Sequence, residues 1–254
     1  MHGIKTRIVL LQPRDRRLLT ELQVMRVVDR ELAKTVCGFR STTRANTRLL
    51  ALTEAGYLKR NFIGAIAGGR KAVYRLSTKG LASTQSQSSV GKNSYSELFL
   101  EHQLQVNQVY VEIKYWPIPL ERCQLHRWIA FNRVLSKASP IIPDGYFELN
   151  NNSQIKSLFL EVDLGTEALR IWQKKIESYL RLATSGEFKS LFGGERFKVA
   201  VIANSGRRAD SIRKVTAKST DKIFRFTSLE NIKTAGFWSP IWNKPTGDRP
   251  EALL

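Results

Sequence analysis

Three carboxylates, Asp144, Glu161 and Asp163, fall in the single stretch IIPDGYFELNNNSQIKSLFLEVDLGTE (141–167). Side chains two apart on a strand share a face. In SLFLEVDLG, Phe159, Glu161 and Asp163 therefore point one way, and Leu158, Leu160, Val162 and Leu164 the other. PDGYFEL, which carries Asp144, reads as the neighbouring strand of a hairpin closed by the polar turn NNNSQ. Carboxylates gathered at a sheet end repel one another unless a cation lies between them. Hard oxygen donors suit Mg²⁺ or Mn²⁺. Such an ion polarises a phosphoryl oxygen and lowers the pKa of a bound water. The chemistry within reach of these residues is metal-assisted hydrolysis of a phosphodiester, with all three acids as ligands.

Elsewhere the chain is strongly basic. Its 254 residues hold 41 Lys and Arg against 22 Asp and Glu, a formal net charge of +19. That balance attracts a polyanion. The surplus is uneven: residues 1–83 hold 17 basic and 5 acidic side chains, so the main polyanion contact belongs to the first third. No apolar run approaches the ~20 residues that cross a bilayer. The apolar run in MHGIKTRIVLLQPRDRR is too short for a secretion signal. Two cysteines, Cys37 and Cys123, lie far apart and outside any metal-ligand spacing, which fits a reducing cytoplasm. His2, His102 and His126 complete no zinc pattern. The Walker A, GxSxG and dinucleotide fingerprints are all missing, which argues against the ATP-driven and hydrolase-triad chemistries those motifs serve.

Positioning those acids takes a second part of the chain, and STQSQSSVGKNS (83–94) divides it from the first as a flexible linker. Three helical patterns precede the linker: RDRRLLTELQVM, DRELAKTVCG with Asp29 as cap and Gly38 as stop, and RSTTRANTRLLALTEAG ending at Gly56. Two strand-like runs follow, YLKRNFIG and RKAVYRLS, about a Gly-rich turn. Three helices and a hairpin over residues 1–82 describe a winged helix-turn-helix. In the third helix Ala45, Leu49 and Leu52 form the buried stripe. Thr43, Arg44, Thr47 and Arg48 occupy the outer side, where arginine can bond guanine in a major groove. Arg60, Arg70 and Lys71 of the wing are placed to meet backbone phosphates. Double-stranded DNA is the expected partner.

After the linker, residues 95–254 alternate helix and strand as α-β-β-β-α-β-α-β, an α+β or α/β arrangement with one mixed sheet covered by helices. The first helix stops at Pro117. TEALRIWQKKIESYLRLA is an amphipathic helix with Thr166 as cap, ERFKVAVIAN a strand, GRRADSIRKVTAKST a basic helix and KIFRFTSLENI a last strand. Trp116, Trp128 and Trp172 read as core. Arg207, Arg208, Arg213 and Lys214 read as phosphate contacts or a solvated face.

Pro-Asp at 143–144 followed by Glu-Val-Asp at 161–163, on strands before a helix, resembles the PD-(D/E)xK nuclease superfamily, the restriction-endonuclease-like fold. The resemblance implies Asp144 as a metal-binding acid and Glu161 as the second. The third position, normally lysine, is Asp163 here. The lysine of that superfamily steadies the attacking water or the developing charge. Either the domain is inactive, or another lysine supplies the charge; Lys174 and Lys175, two turns into the next helix, are placed for it, and Lys175 is taken as the substitute. Glu101 resembles the extra helix-borne acid of other members. A narrower resemblance covers nearly the whole chain: RDRRLL…GYLKR…YRLSTKG, EHQLQVNQ, PDGYFEL, LEVDLGTE and VIANSGRRADSIRK look like the replication-relaxation family of plasmid and mobile-element proteins. It implies a winged helix joined to a nuclease-like domain, acting in replication or mobilisation of such DNA.

Two functions of different class follow. In one, the winged helix selects a DNA site and the second domain nicks or cleaves nearby with Mg²⁺ or Mn²⁺, using Asp144, Glu161, Asp163 and Lys175. In the other, the nuclease fold is degenerate and the protein is a non-catalytic replication accessory or transcriptional regulator. A homodimer, or a partner protein of replication or transposition, is compatible with both.

Overall fold

The computed structural model describes residues 9–64, 68–84, 95–151 and 154–254. Among them the chain forms two compact units that divide between Val111 and Glu112. The Ser-rich stretch expected as the linker lies, from residue 85 to 94, outside the described residues.

The first unit opens with α1 (Pro13–Met25), β1 (Val28–Asp29), α2 (Arg30–Cys37) and α3 (Thr42–Glu54). Proline at the first position of α1 costs no hydrogen bond, because that amide is unpaired in any helix. Asp29 caps α2 as expected, accepting a 2.8 Å bond from the Leu32 amide, and Gly38 ends it at φ +66°. The stripe Ala45, Leu49 and Leu52 is buried, as are Leu18, Leu19 and Leu22 of α1 and Val36 of α2. The hairpin pairs β2 (Leu58–Gly64) with β3 (Arg70–Leu76), and β1 pairs with the far edge of β3, giving the order β1-β3-β2. α4 (Thr78–Ala82) follows, and α5 (Glu97–Tyr115) runs across the division. The first part of α5 belongs with the first unit: Asn107 donates to Met25 O and Val27 O at 2.8 and 2.7 Å, and Tyr110 to Glu21 at 2.6 Å. Neither β1 nor α4 was legible as an element; each is short and takes its place from the hairpin.

The second unit is one mixed sheet. β4 (Cys123–Ile129), β5 (Gly145–Asn151) and β6 (Gln154–Asp163) are antiparallel neighbours; β6, β7 (Phe197–Ala203) and β8 (Phe224–Ser228) run parallel. α6 (Leu169–Thr184) and α7 (Glu187–Phe192) connect β6 to β7; α8 (Gly206–Ala217) connects β7 to β8; α9 (Leu229–Ala235) follows. This is the expected mixed α+β architecture. One face of the sheet packs Tyr146, Phe159, Val199 and Val201 against Trp172, Ile176, Tyr179 and Ile212 of α6 and α8. From Ser157 onward both faces of β6 are dry: Leu158, Leu160 and Val162 are buried, as Phe159 is. α6 begins at Leu169 rather than at Thr166, because Gly165 turns the chain at φ +83° and Arg208 takes the carbonyl of Glu167 at 2.5 Å. Trp172 is core; Trp116 is 58% exposed, against expectation, just past the end of α5. Trp242 is fully buried and bonds Phe237 O at 2.9 Å, so the tail docks on its own aromatic cluster.

Candidate active site

The C-terminal end of β6 carries the site. Gly145 pairs with Leu160, and the amide of Asp144 donates to Leu160 O at 3.1 Å. Asp144 immediately precedes β5, close enough to Glu161 for its charge to raise the Glu161 carboxyl. The Val162 amide donates to Asp144 Oδ2 at 2.7 Å and fixes that carboxylate against the strand.

Glu161 is buried in the same face as the aromatic core, which demands partners for both its oxygens. It has them. Lys175 Nζ donates to Oε2 at 2.9 Å and the Tyr179 hydroxyl to Oε1 at 2.6 Å. Both donors come from α6, where positions 172, 175, 176 and 179 lie on one side of the helix. The Lys175 ammonium also meets Glu167 at 2.9 Å and sits 4.9 Å from the centre of the Trp172 ring. Burial pushes the Glu161 carboxyl up to about 7; Lys175 pulls against that rise and Asp144 adds to it. Burial works against the Lys175 charge, but Glu161, Glu167 and Asp144 outweigh it and raise its pKa. Burial and the facing Glu161 hold the Tyr179 hydroxyl far above its ordinary value. Glu167 Oε2 is a buried oxygen whose partner is the Lys175 ammonium.

Asp163 does not join this group, although it leaves β6 on the same face. Arg208 of α8 grips both its oxygens, Trp172 Nε1 donates to Oδ2 at 2.6 Å, and the Gly165 amide donates to Oδ1 at 2.7 Å. Burial raises the Asp163 carboxyl, but these bonds, Arg208 first, hold it below its ordinary value. Among the described residues no three His, Cys, Asp or Glu side chains are grouped to hold a metal ion. The expected three-acid ligand set is therefore corrected: Asp163 is spoken for by an arginine. Lys174, the other candidate cation, makes no described bond to the acids, whereas Lys175 makes two. Arg208, expected as a phosphate contact, is the clamp. Glu101 is exposed on α5.

The outer face of α3 presents Thr43, Arg44 and Thr47 to solvent. Arg48 differs from expectation. It turns back onto α1, where its Nε donates to Asp15 Oδ1 at 2.8 Å and its Nη2 to Leu10 O at 2.8 Å. Asp15 is completely buried, so this pair fastens α3 to α1. Lys71 pairs with Asp29, the cap of α2. Arg60 and Arg70 lie over the ring of Phe62, at 5.3 and 5.8 Å.

A protein-family model described as replication-relaxation matches residues 13–194, most of both units. No curated protein matches the chain. Among solved structures, restriction endonuclease FokI is similar at 12% identity with a TM-score of 0.33, over 91% of this chain and 46% of that one. The chain spans just under half the length of that enzyme.

Proposed function

The chain belongs to the replication-relaxation family, and from that premise we propose a DNA-binding protein of plasmid or mobile-element replication or mobilisation, with a C-terminal site for Mg²⁺- or Mn²⁺-dependent nicking of DNA. The observation that carries the reading is the Lys175 ammonium 2.9 Å from buried Glu161, with Asp144 just before the adjoining strand and bonded by the Val162 amide. It would supply the two acids and one lysine of a PD-(D/E)xK site, the lysine arriving from α6 instead of from the strand.

Asp144 and Glu161 would hold the ion. Mg²⁺ is commonly bound through one or two carboxylates, with waters and substrate phosphates completing its shell, so the donor set fits once Asp163 is removed from it. Glu167, ion-paired to Lys175 at 2.9 Å, would be a further hard donor beside it. When bound, the ion would supply charge stabilisation at the phosphoryl oxygens and a more acidic water. Lys175 is oriented by the Trp172 ring and by Glu161 to meet negative charge as it develops on phosphorus-bound oxygen. Water oxygen would bond to phosphorus, the bond to one nucleoside oxygen would break, and that oxygen would leave with a proton. In the first unit, Thr43, Arg44 and Thr47 of α3 would face the major groove, and Arg60, Arg70 and Lys71 the phosphates. Arg48, held by Asp15, drops out of that list.

A second reading has support of its own: Lys175 already neutralises Glu161 and Glu167, as a degenerate, non-catalytic site would require. Incubation of supercoiled plasmid carrying a bound site with Mg²⁺ or Mn²⁺ separates the two. Nicking by the wild type, lost in Asp144→Ala, supports the enzyme. Binding without nicking in either metal gives the accessory or regulator.

A further inference from the structure

The hairpin of the first unit and the helices beside it border an open cavity of about 560 Å³. Its walls come from the start of α2, the outer face of α3 and the strands β2 and β3. Two large apolar side chains open into it, Phe62 at 43% and Leu50 at 36% exposure. Apolar surface left open within so basic a unit calls for an occupant. Asn46 contributes an amide that can both donate and accept. Arg60 and Arg70 flank the Phe62 ring, and neither pairs with a carboxylate among the described residues. The size lies in the range of small-ligand sites.

An aromatic wall, an amide and two guanidinium groups, of which Arg70 also donates to Phe62 O at 3.3 Å, match one chemical class: a nucleobase with its phosphate. The base stacks on aromatic or guanidinium planes, the amide meets its edge, and the arginines meet the charge. A paired base inside a duplex cannot enter such a cavity; an unpaired one can. We propose that this cavity receives a single unpaired base of the DNA strand, with Phe62 as its stacking wall and Arg60 and Arg70 on its phosphates. The inference rests on the DNA-binding reading of the first unit and adds a preference that reading lacks. The protein binds DNA more tightly where a base is unstacked, as at a bulge or an opened segment.

The test compares, for the full chain, a duplex carrying one unpaired thymine with the fully paired duplex of the same sequence, by fluorescence anisotropy. The bulged probe is expected to bind about tenfold more tightly, the size that stacking of one base supplies. Phe62→Ala is expected to erase that difference while still binding the paired probe, and Phe62→Tyr to keep it. An unpaired 2-aminopurine in the same position is expected to be quenched by the wild type and not by Phe62→Ala. Equal affinity of the wild type for both probes overturns the cavity's role and leaves DNA binding intact. An equal drop on both probes in Phe62→Ala overturns it too, since Phe62 would then only support the hairpin. No binding to either probe overturns the DNA-binding reading beneath it.

Discussion

Arg208 holds both oxygens of Asp163, from Nε at 2.8 Å and Nη2 at 2.9 Å. The clamp joins α8 to the end of β6, and Trp172 adds α6 to the same carboxylate. Asp163 thus sets where α6 starts, and with it where Lys175 stands. Breaking a buried pair strands the remaining charge, at a cost of roughly 3–5 kcal/mol. Asp163→Ala is expected to lower unfolding stability by about that much in urea titration, and Asp144→Asn by about 1 kcal/mol or less, because the asparagine oxygen still accepts from Val162. If Asp163→Ala left stability within 1 kcal/mol of wild type, the anchoring role would fail.

Arg48 and Arg44 stand one turn apart on α3 with opposite duties. Arg44 is exposed; Arg48 reaches fully buried Asp15. Arg48→Ala is expected to destabilise the first unit by roughly 3 kcal/mol. Arg44→Ala is expected to leave thermal unfolding unchanged and to weaken binding to a cognate site by roughly 1–3 kcal/mol. The reverse pattern would put Arg48 in the groove and Arg44 outside it.

Lys175 and Glu161 form a buried pair whose members should not be removed singly. Lys175→Met leaves Glu161 without its cation, so it is expected to abolish nicking and also to lower stability by roughly 3 kcal/mol. Adding Glu161→Gln to that variant is expected to restore much of the stability and none of the nicking. Stability lost additively in the double variant would show that the two residues do not act on one another.

The two thiols should react unequally. Burial, with the nearby Asp15, pushes the Cys37 thiol up to about 12; Cys123 is half-buried and raised by burial to a lesser extent. Only thiolate is alkylated. At pH 8 iodoacetamide is expected to label Cys123 at least tenfold faster than Cys37, read by peptide mass spectrometry. Because the folded Cys37 thiol keeps its proton after an unfolded one has lost it, its contribution to stability is complete below the unfolded value of 9.0. That contribution declines as pH climbs from 9.0 towards 12. Equal labelling of the native protein would contradict the burial of Cys37.

The period-two pattern around Glu161 gave the strand, its face and its neighbour, because alternation depends on local geometry alone. The stripe of α3 and the cap at Asp29 were legible for the same reason. Lys175 carried a usable signal: three residues after Trp172 and four before Tyr179, a lysine stands on the buried side of an amphipathic helix, where it needs an acid. The roles of Asp163 and Arg48 were not legible. Each is fixed by a partner 45 or 33 positions away in the chain, across a helix packing that composition does not specify. An acid two residues from a ligand position looks like a second ligand until the arginine that neutralises it is in place.

The claim on which the enzymatic reading turns is that Asp144 and Glu161 share a divalent ion beside Lys175. Crystals of the full chain soaked in Mn²⁺, with data collected at the manganese absorption edge, address it without relying on turnover. The expected result is an anomalous peak within about 2–2.5 Å of oxygens from both Asp144 and Glu161, absent in Asp144→Ala crystals, with Asp163 still held by Arg208. A site without such a peak at saturating Mn²⁺, or a peak bound through Asp163, would contradict it.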